Sequence, residues 1–219
     1  MPPLPNYEDL TAAAEAFASA TSSVRAVLLV GSYARGECTE ESDIDLLVWA
    51  TRYDDIRQSE VRSFFRSHLE GRGFHVQSID AFVIDDRDLG PQTLRHVRAS
   101  PMRFLEAGTG VFLWGEDFRG LLTPPPRRTV LERSLRHASQ LLNDPRAIDE
   151  RDVLLVAIGR MYAHTDRWPS KREATEWDEH LAVRLAWQHR TQGEPPVDDE
   201  GVYADYVRAV AHELATFIR

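Results

Sequence analysis

Three consecutive prolines, Pro124-Pro125-Pro126, constrain this 219-residue chain more than any other feature. Proline fixes φ and offers no backbone donor, so three in a row end any helix or strand and act as a stiff spacer. The patterns on the two sides differ in kind. Upstream, helical spacing at 7–20, 54–71 and 89–107 (the last interrupted near Pro101) alternates with apolar runs that read as strands at 24–30, 44–49, 74–84 and 111–114. Downstream the pattern is helical throughout, at 127–143, 150–164, 170–192 with a break, and 201–218. Ser170 with Glu173 makes a capping box, and Asp149 suits the N-cap of the helix that follows it. The expectation is an α/β (α+β) domain with a mixed sheet over residues 1–122, then an all-α helical-bundle domain over 127–219.

Composition removes several function classes. Hydrophobic content of 42% with 28% charged residues fits a globular protein with a substantial core. No apolar run is long enough to cross a bilayer, and the opening Met-Pro-Pro-Leu-Pro-Asn lacks the basic start and apolar core of a signal peptide. A single cysteine, Cys38, excludes an internal disulfide framework and fits a reducing cytosol, so a cytoplasmic location is expected and Cys38 reads as a bystander thiol. A net charge of −9 disfavours general nucleic-acid binding through phosphates and favours a cationic small partner.

The chemistry concentrates between residues 27 and 48, VLLVGSYARGECTEESDIDLLV. Two branched apolar runs flank a loop that opens on Gly31-Ser32 and closes on Asp43-Ile44-Asp45. Side chains alternate along a strand, so Asp43 and Asp45 face one way while Ile44 enters the core. Two neighbouring carboxylates repel unless one is protonated or a cation bridges them. Mg²⁺ suits such a pair, because it takes one or two carboxylates and completes its shell with water and substrate phosphates. Glycine at the end of the preceding strand lets a phosphate approach the backbone, and a helix starting at Ser32 would aim free N–H groups at it. Asp80, inside Ser78-Ile79-Asp80-Ala81-Phe82-Val83, is out of place in a central strand unless it faces the same metal or a reacting hydroxyl. Asp85, Asp86 and Asp88 beyond that strand read as a solvated turn.

The run Gly31-Ser32, ten residues, Asp43-Ile44-Asp45 resembles the signature of the DNA polymerase β-like nucleotidyltransferase superfamily, and the later acidic strand at Asp80 extends the likeness over the first domain. The resemblance implies transfer of a nucleoside monophosphate from a nucleoside triphosphate, with ATP as co-substrate and two Mg²⁺ ions. It implies that Asp43 and Asp45 hold the metals and that Asp80 is third ligand or general base. Gly31 and Ser32 would contact the triphosphate, with Arg35 assisting.

Residues 111–126 (VFLWGEDFRGLLTPPP) are similar to the junction of the streptomycin/spectinomycin-type aminoglycoside adenylyltransferases, and Ser170-Lys171-Arg172-Glu173-Ala174-Thr175-Glu176-Trp177 resembles their S-K-x-x-A-x-x-W segment. This resemblance implies a polycationic aminoglycoside acceptor and, with it, antibiotic resistance. Asp166, Trp168, Lys171, Glu176 and Trp177 are the candidate acceptor residues, with rings stacking on a sugar and carboxylates (Glu173, Glu176, Asp178, Glu179) taking its ammonium groups. Set against that, Trp177 and Trp187 suit a helical core, the preferred reading for Trp177, and the acids suit a solvated face. Two features depart from the family: Arg160 stands where an aromatic is expected, and Asp80 where the drug-modifying enzymes carry a glutamate base. Two rival functions stay open. One is a toxin–antitoxin type nucleotidyltransferase that labels a protein or RNA; the spacing of Arg184 and His189 also echoes a ribonuclease motif. The other is a non-catalytic nucleotide-binding protein.

Overall fold

The computed structural model describes residues 2–89, 101–192 and 201–219, and divides into two compact units, Met1–Pro125 and Pro126–Arg219. In the first unit α1 (Tyr7–Ala20) starts at Asn6, whose side chain accepts from the Asp9 N–H at 3.1 Å while the Asp9 carboxylate accepts from the Asn6 N–H at 3.0 Å. There follow β1 (Val24–Val30), the short helix α2 (Gly31–Arg35), β2 (Ile44–Ala50), α3 (Gln58–Gly71), β3 (Ile79–Ile84), α4 (Pro101–Ala107) and β4 (Val111–Gly115). The sheet order is β3-β2-β1-β4, with β1 antiparallel to both β2 and β4, and β2 parallel to β3. This is the expected mixed sheet.

Strand alternation assigns the two faces different tasks. Val27, Leu29, Leu46, Val48, Ala81 and Val83 point to one side and are covered by α1 and α3, where the Phe17 ring lies 5.2 Å from Phe64 and 5.8 Å from Phe65. Ala26, Leu28, Leu47, Trp49 and Ile84 point to the other, against Phe104 and Ala107 of α4 and against Phe118. Asp45 and Asp80 share this second face, because both alternate with core residues of the first.

Two element expectations differ from the structure. The strand expected over 74–84 is confined to Ile79–Ile84, since the backbone before it is engaged elsewhere: the Phe74 N–H donates to the Leu69 carbonyl and His75 to that of Pro3. The helix expected from residue 54 starts at Gln58, after a 3-10 turn at Tyr53–Asp55. Of the helix expected over 89–107, the described part is α4 (Pro101–Ala107), and residues 90–100 lie outside the described residues.

The second unit contains α5 (Arg127–Leu141), α6 (Glu150–Thr165), α7 (Lys171–Trp177), α8 (Leu181–Gln192) and α9 (Val202–Ile218). Asp149 caps α6 by accepting from the Asp152 N–H at 2.9 Å, and Ser170 with Glu173 caps α7 as a reciprocal pair at 3.1 and 2.8 Å. α6 is the central helix, with Leu154, Ala157, Ile158 and Met161 buried against α5, α7, α8 and α9. Gly159 lets α5 come close: a Cβ there would lie 2.9 Å from that of Ser134. Among the described residues no helix is long and apolar enough to cross a membrane.

Candidate active site

The ladder between β2 and β3 sets Asp45 directly opposite Asp80, and on its other side Asp45 pairs with Val30, the last residue of β1. Like charges facing each other across a ladder are destabilising, so two carboxylates in register call for a cation or a proton. Asp45 is 9% exposed and Asp80 half-buried. Asp43 stands one residue before β2, and its Oδ1 accepts from the Ser78 hydroxyl at 2.5 Å.

Gly31 follows directly on Val30 and turns the chain into α2 with a φ of +73°, which disfavours a side chain. A Cβ at this position would sit 2.2 Å from Asp45 Oδ2. The glycine backbone is therefore seated on the carboxylate. Ser32 is the next residue, and its carbonyl accepts from the Glu37 N–H at 2.9 Å, which folds the loop back after the left-handed Gly36. Arg35 is paired with Glu37, Nε to Oε2 at 3.1 Å. The loop ends in a reciprocal turn in which Ser42 Oγ accepts from the Thr39 N–H at 2.9 Å and the Ser42 N–H donates to the Thr39 carbonyl at 3.0 Å.

Two residues of this region were not singled out from the sequence. Ser78 is one; the clue was its place two residues before Asp80, on the same strand face. Tyr33 is the other. Burial, followed by the nearby charges of Cys38 and Asp43, pushes its phenol up to about 12, so it stays a protonated donor at neutral pH. Burial also pushes the Cys38 thiol up, against a smaller opposing pull from its backbone hydrogen bond, which keeps it in the unreactive form.

Among the described residues no three acid, histidine or cysteine side chains converge as a ready-made metal cage, so Asp43, Asp45 and Asp80 are not a preformed triad of ligands. The donor set nevertheless fits Mg²⁺, which needs only one or two carboxylates and draws its other ligands from water and phosphate. Zinc-type coordination would demand more protein ligands.

Of the acids beyond β3, expected as a solvated turn, Asp86 is exposed and the other two are not. Asp85 and Asp88 are 3% and 2% exposed. Asp85 accepts from the Tyr53 N–H at 3.0 Å and from Arg87, whose hydrogen bonds hold its carboxyl down at about 2, while Asp88 accepts from the Asp85 N–H. Asp86 binds the Trp49 indole N–H at 2.9 Å and Arg25 at 3.1 Å. These are tethers for the far ends of β2 and β3. A 300 Å³ surface cavity lined by Thr51, Arg52, Asp54, Asp85, Asp86 and Arg87 lies there, and includes none of the candidate site residues.

The acceptor candidates all belong to the second unit. Asp166 ends α6 in a left-handed conformation and pairs with Arg127. Trp168 is half-buried, edge-on to Tyr162 at 5.7 Å, and Lys171 opens α7. Glu176 pairs with Arg172 one turn earlier, 2.9 Å apart. Trp177, expected in the core, is 38% exposed, beside His164 at 5.4 Å with the Arg160 guanidinium 5.7 Å from its ring. The acid cluster near it is mostly committed internally. Glu173 caps α7, and Asp178 is buried, accepting from Arg160 Nη1 at 2.9 Å and the Tyr206 hydroxyl at 2.6 Å. Arg160 thus has a clear task where the sequence suggested a misplaced charge: it bridges Asp178 and Glu213. The spaced Arg184 and His189 fall apart in role, Arg184 exposed and His189 half-buried 3.3 Å from Glu150.

Residues 11–85 match the family model of the nucleotidyltransferase domain, a span that contains Gly31, Ser32, Asp43, Asp45 and Asp80. The spectinomycin adenyltransferase AAD(9) from Enterococcus faecialis, crystallised with ATP and spectinomycin, is similar in fold with a TM-score of 0.68 at 14% identity, covering 96% of this chain and 100% of that one. A toxin–antitoxin structure with AMP-PNP gives a TM-score of 0.34 at 24% identity over 52% of this chain and 76% of the other. A nucleotidyltransferase-like protein from Exiguobacterium sibiricum gives 0.34 at 11% identity over 95% and 77%. No curated protein matches in sequence.

Proposed function

We propose that the chain, which carries a nucleotidyltransferase domain over residues 11–85, moves AMP from ATP to a hydroxyl of a small cationic acceptor such as an aminoglycoside. The observation that carries the reading is the acidic face at the start of β2, with Asp45 opposite Asp80, Asp43 beside them and the Gly31 backbone seated on Asp45.

In this reading Asp43 and Asp45 hold Mg²⁺, and Asp80 shares it or accepts the proton of the attacking hydroxyl. Bound there, the metal would neutralise triphosphate charge and orient it for in-line displacement. Gly31 keeps the strand end free of a side chain, so that the triphosphate can lie against the backbone, and Ser32 offers its N–H and hydroxyl. The acceptor oxygen forms a bond to the α-phosphorus, the bond to the β-phosphate bridging oxygen breaks, and pyrophosphate leaves. Three points support a cationic acceptor: the net charge of −9, the exposed Trp177, and a fold shared along nearly its whole length with a protein crystallised with ATP and spectinomycin. Trp168, Lys171, Asp166 and Glu176 remain candidate acceptor contacts, with Asp166 and Glu176 held in exposed ion pairs with Arg127 and Arg172.

Pyrophosphate release from ATP tests this, measured with Mg²⁺ and with or without spectinomycin, streptomycin and other aminoglycosides. Release should depend on one drug and add one AMP to its mass; Asp45→Asn should abolish it, and Asp80→Ala should reduce it far more than Asp86→Ala. Drug-independent labelling of a protein or RNA would replace the acceptor with a macromolecule. Undiminished turnover by Asp45→Asn would remove the site itself.

A further inference from the structure

The register of β2 and β3 distinguishes the two acids of the Asp43-Ile44-Asp45 run. Asp45 is fixed from both sides by ladder partners, Val30 and Asp80. Asp43 stands outside the strand, at the end of a largely half-buried loop, where the ladder does not set its side chain. What reaches it is Ser78, the residue just before β3. The Ile44 N–H donates to the Ser78 carbonyl at 3.0 Å, which pins the Ser78 backbone one step before β3. Ser78 and Asp80, two apart, share a face, and the Ser78 hydroxyl donates to Asp43 Oδ1 at 2.5 Å. The same face therefore carries two rows across the strands: a hydroxyl opposite a carboxylate, then a carboxylate opposite a carboxylate.

We infer that Ser78 is a positioning residue whose hydroxyl fixes the orientation of the Asp43 carboxylate, and so the affinity of the site for a divalent cation. The inference rests on the metal-holding role proposed above for Asp43. A carboxylate has about four lone-pair sites, so one donor orients it without exhausting it for a cation. A hydrogen bond to a charged acceptor is also about twice as strong as a neutral one. Groups that hold a ligating carboxylate typically matter by about 10- to 100-fold in metal affinity. Ser78→Ala keeps the Cβ and deletes only the donor; Ser78→Thr keeps the donor.

The test uses the full chain and Mn²⁺ as the probe, titrated by the electron paramagnetic resonance signal of free Mn²⁺ in the presence of α,β-methylene-ATP. Melting of the metal-free protein in EDTA is recorded alongside. Ser78→Ala should weaken Mn²⁺ binding by about 10-fold or more, with Ser78→Thr close to the parent protein and metal-free melting nearly unchanged in both. Parental Mn²⁺ affinity in Ser78→Ala together with weakened binding in Asp43→Asn would overturn the role of Ser78 and leave that of Asp43 standing. Parental affinity in Asp43→Asn as well would overturn both. Equal weakening by Ala and Thr would also refute the inference, since the hydroxyl would not be the cause.

Discussion

Replacing Gly31 with alanine probes the meeting of strand end and carboxylate more sharply than any other single change. Two costs arise. At a φ of +73° an alanine pays about 1 kcal/mol or more for a left-handed backbone. Its Cβ would also lie 2.2 Å from Asp45 Oδ2, well inside contact distance, so the carboxylate must leave its rotamer or the backbone must shift, at about 1–2 kcal/mol. Loss of glycine's freedom in the unfolded chain returns about 0.5 kcal/mol. The net is a destabilisation of about 2 kcal/mol, or roughly 8 °C in the melting of a unit this size. Trp49 and Trp114, both in the first unit, report that transition by fluorescence. A double-mutant cycle separates the two costs: in an Asp45→Ala background the clash is gone, and Gly31→Ala should cost about 1 kcal/mol less than in the parent. Strict additivity, or an unchanged melting point in the single variant, would refute the reasoning. A carboxylate displaced by about 1 Å should also lower turnover on the order of 100-fold.

In the second unit, Arg160→Met strands the buried Asp178 carboxylate and should destabilise by about 3 kcal/mol, while Tyr206→Phe, which removes one neutral donor, should cost about 1 kcal/mol; urea unfolding gives both, and reversal of that order would contradict the ranking. Asp85 has its carboxyl held at about 2 by Arg87, below the ordinary 3.8, so its stabilising effect is complete above about pH 4 and is lost as pH falls toward 2. Because Arg87 is 60% exposed, the effect is discounted to about 1 kcal/mol, and Asp85→Asn should flatten the acid limb of the stability–pH curve by that amount.

The sequence spoke clearest where one residue has one geometric solution. Asp149, and Ser170 with Glu173, mark helix starts, and the structure places caps at both. The apolar runs of β1 and β2 fix strands buried along their length. Pattern failed where tertiary partners decide. Residues 74–78 have strand-like composition, but part of their backbone is spent on Leu69 and Pro3. Trp177 has the hydrophobicity of a core residue, yet it stands on the outer side of α7. Charges were the least legible: Asp85, Asp88 and Asp178 read as solvent-facing because their partners, Arg87, the Asp85 N–H, and Arg160 with Tyr206, cannot be paired from one sequence. Of the site itself, the strand position of Asp45 was readable, whereas the placing of Asp43 before β2, the register that sets Asp45 opposite Asp80 and the approach of Ser78 to Asp43 needed three dimensions.

The most direct measurement follows the phosphorus atoms. ATP labelled at the α- or at the γ-phosphate is incubated with the protein, Mg²⁺ and the aminoglycoside that elicits turnover, and the products are separated. Nucleotidyl transfer predicts the α label on the acceptor and the γ label in pyrophosphate. The γ label on the acceptor, or in orthophosphate with no α transfer, would contradict the account.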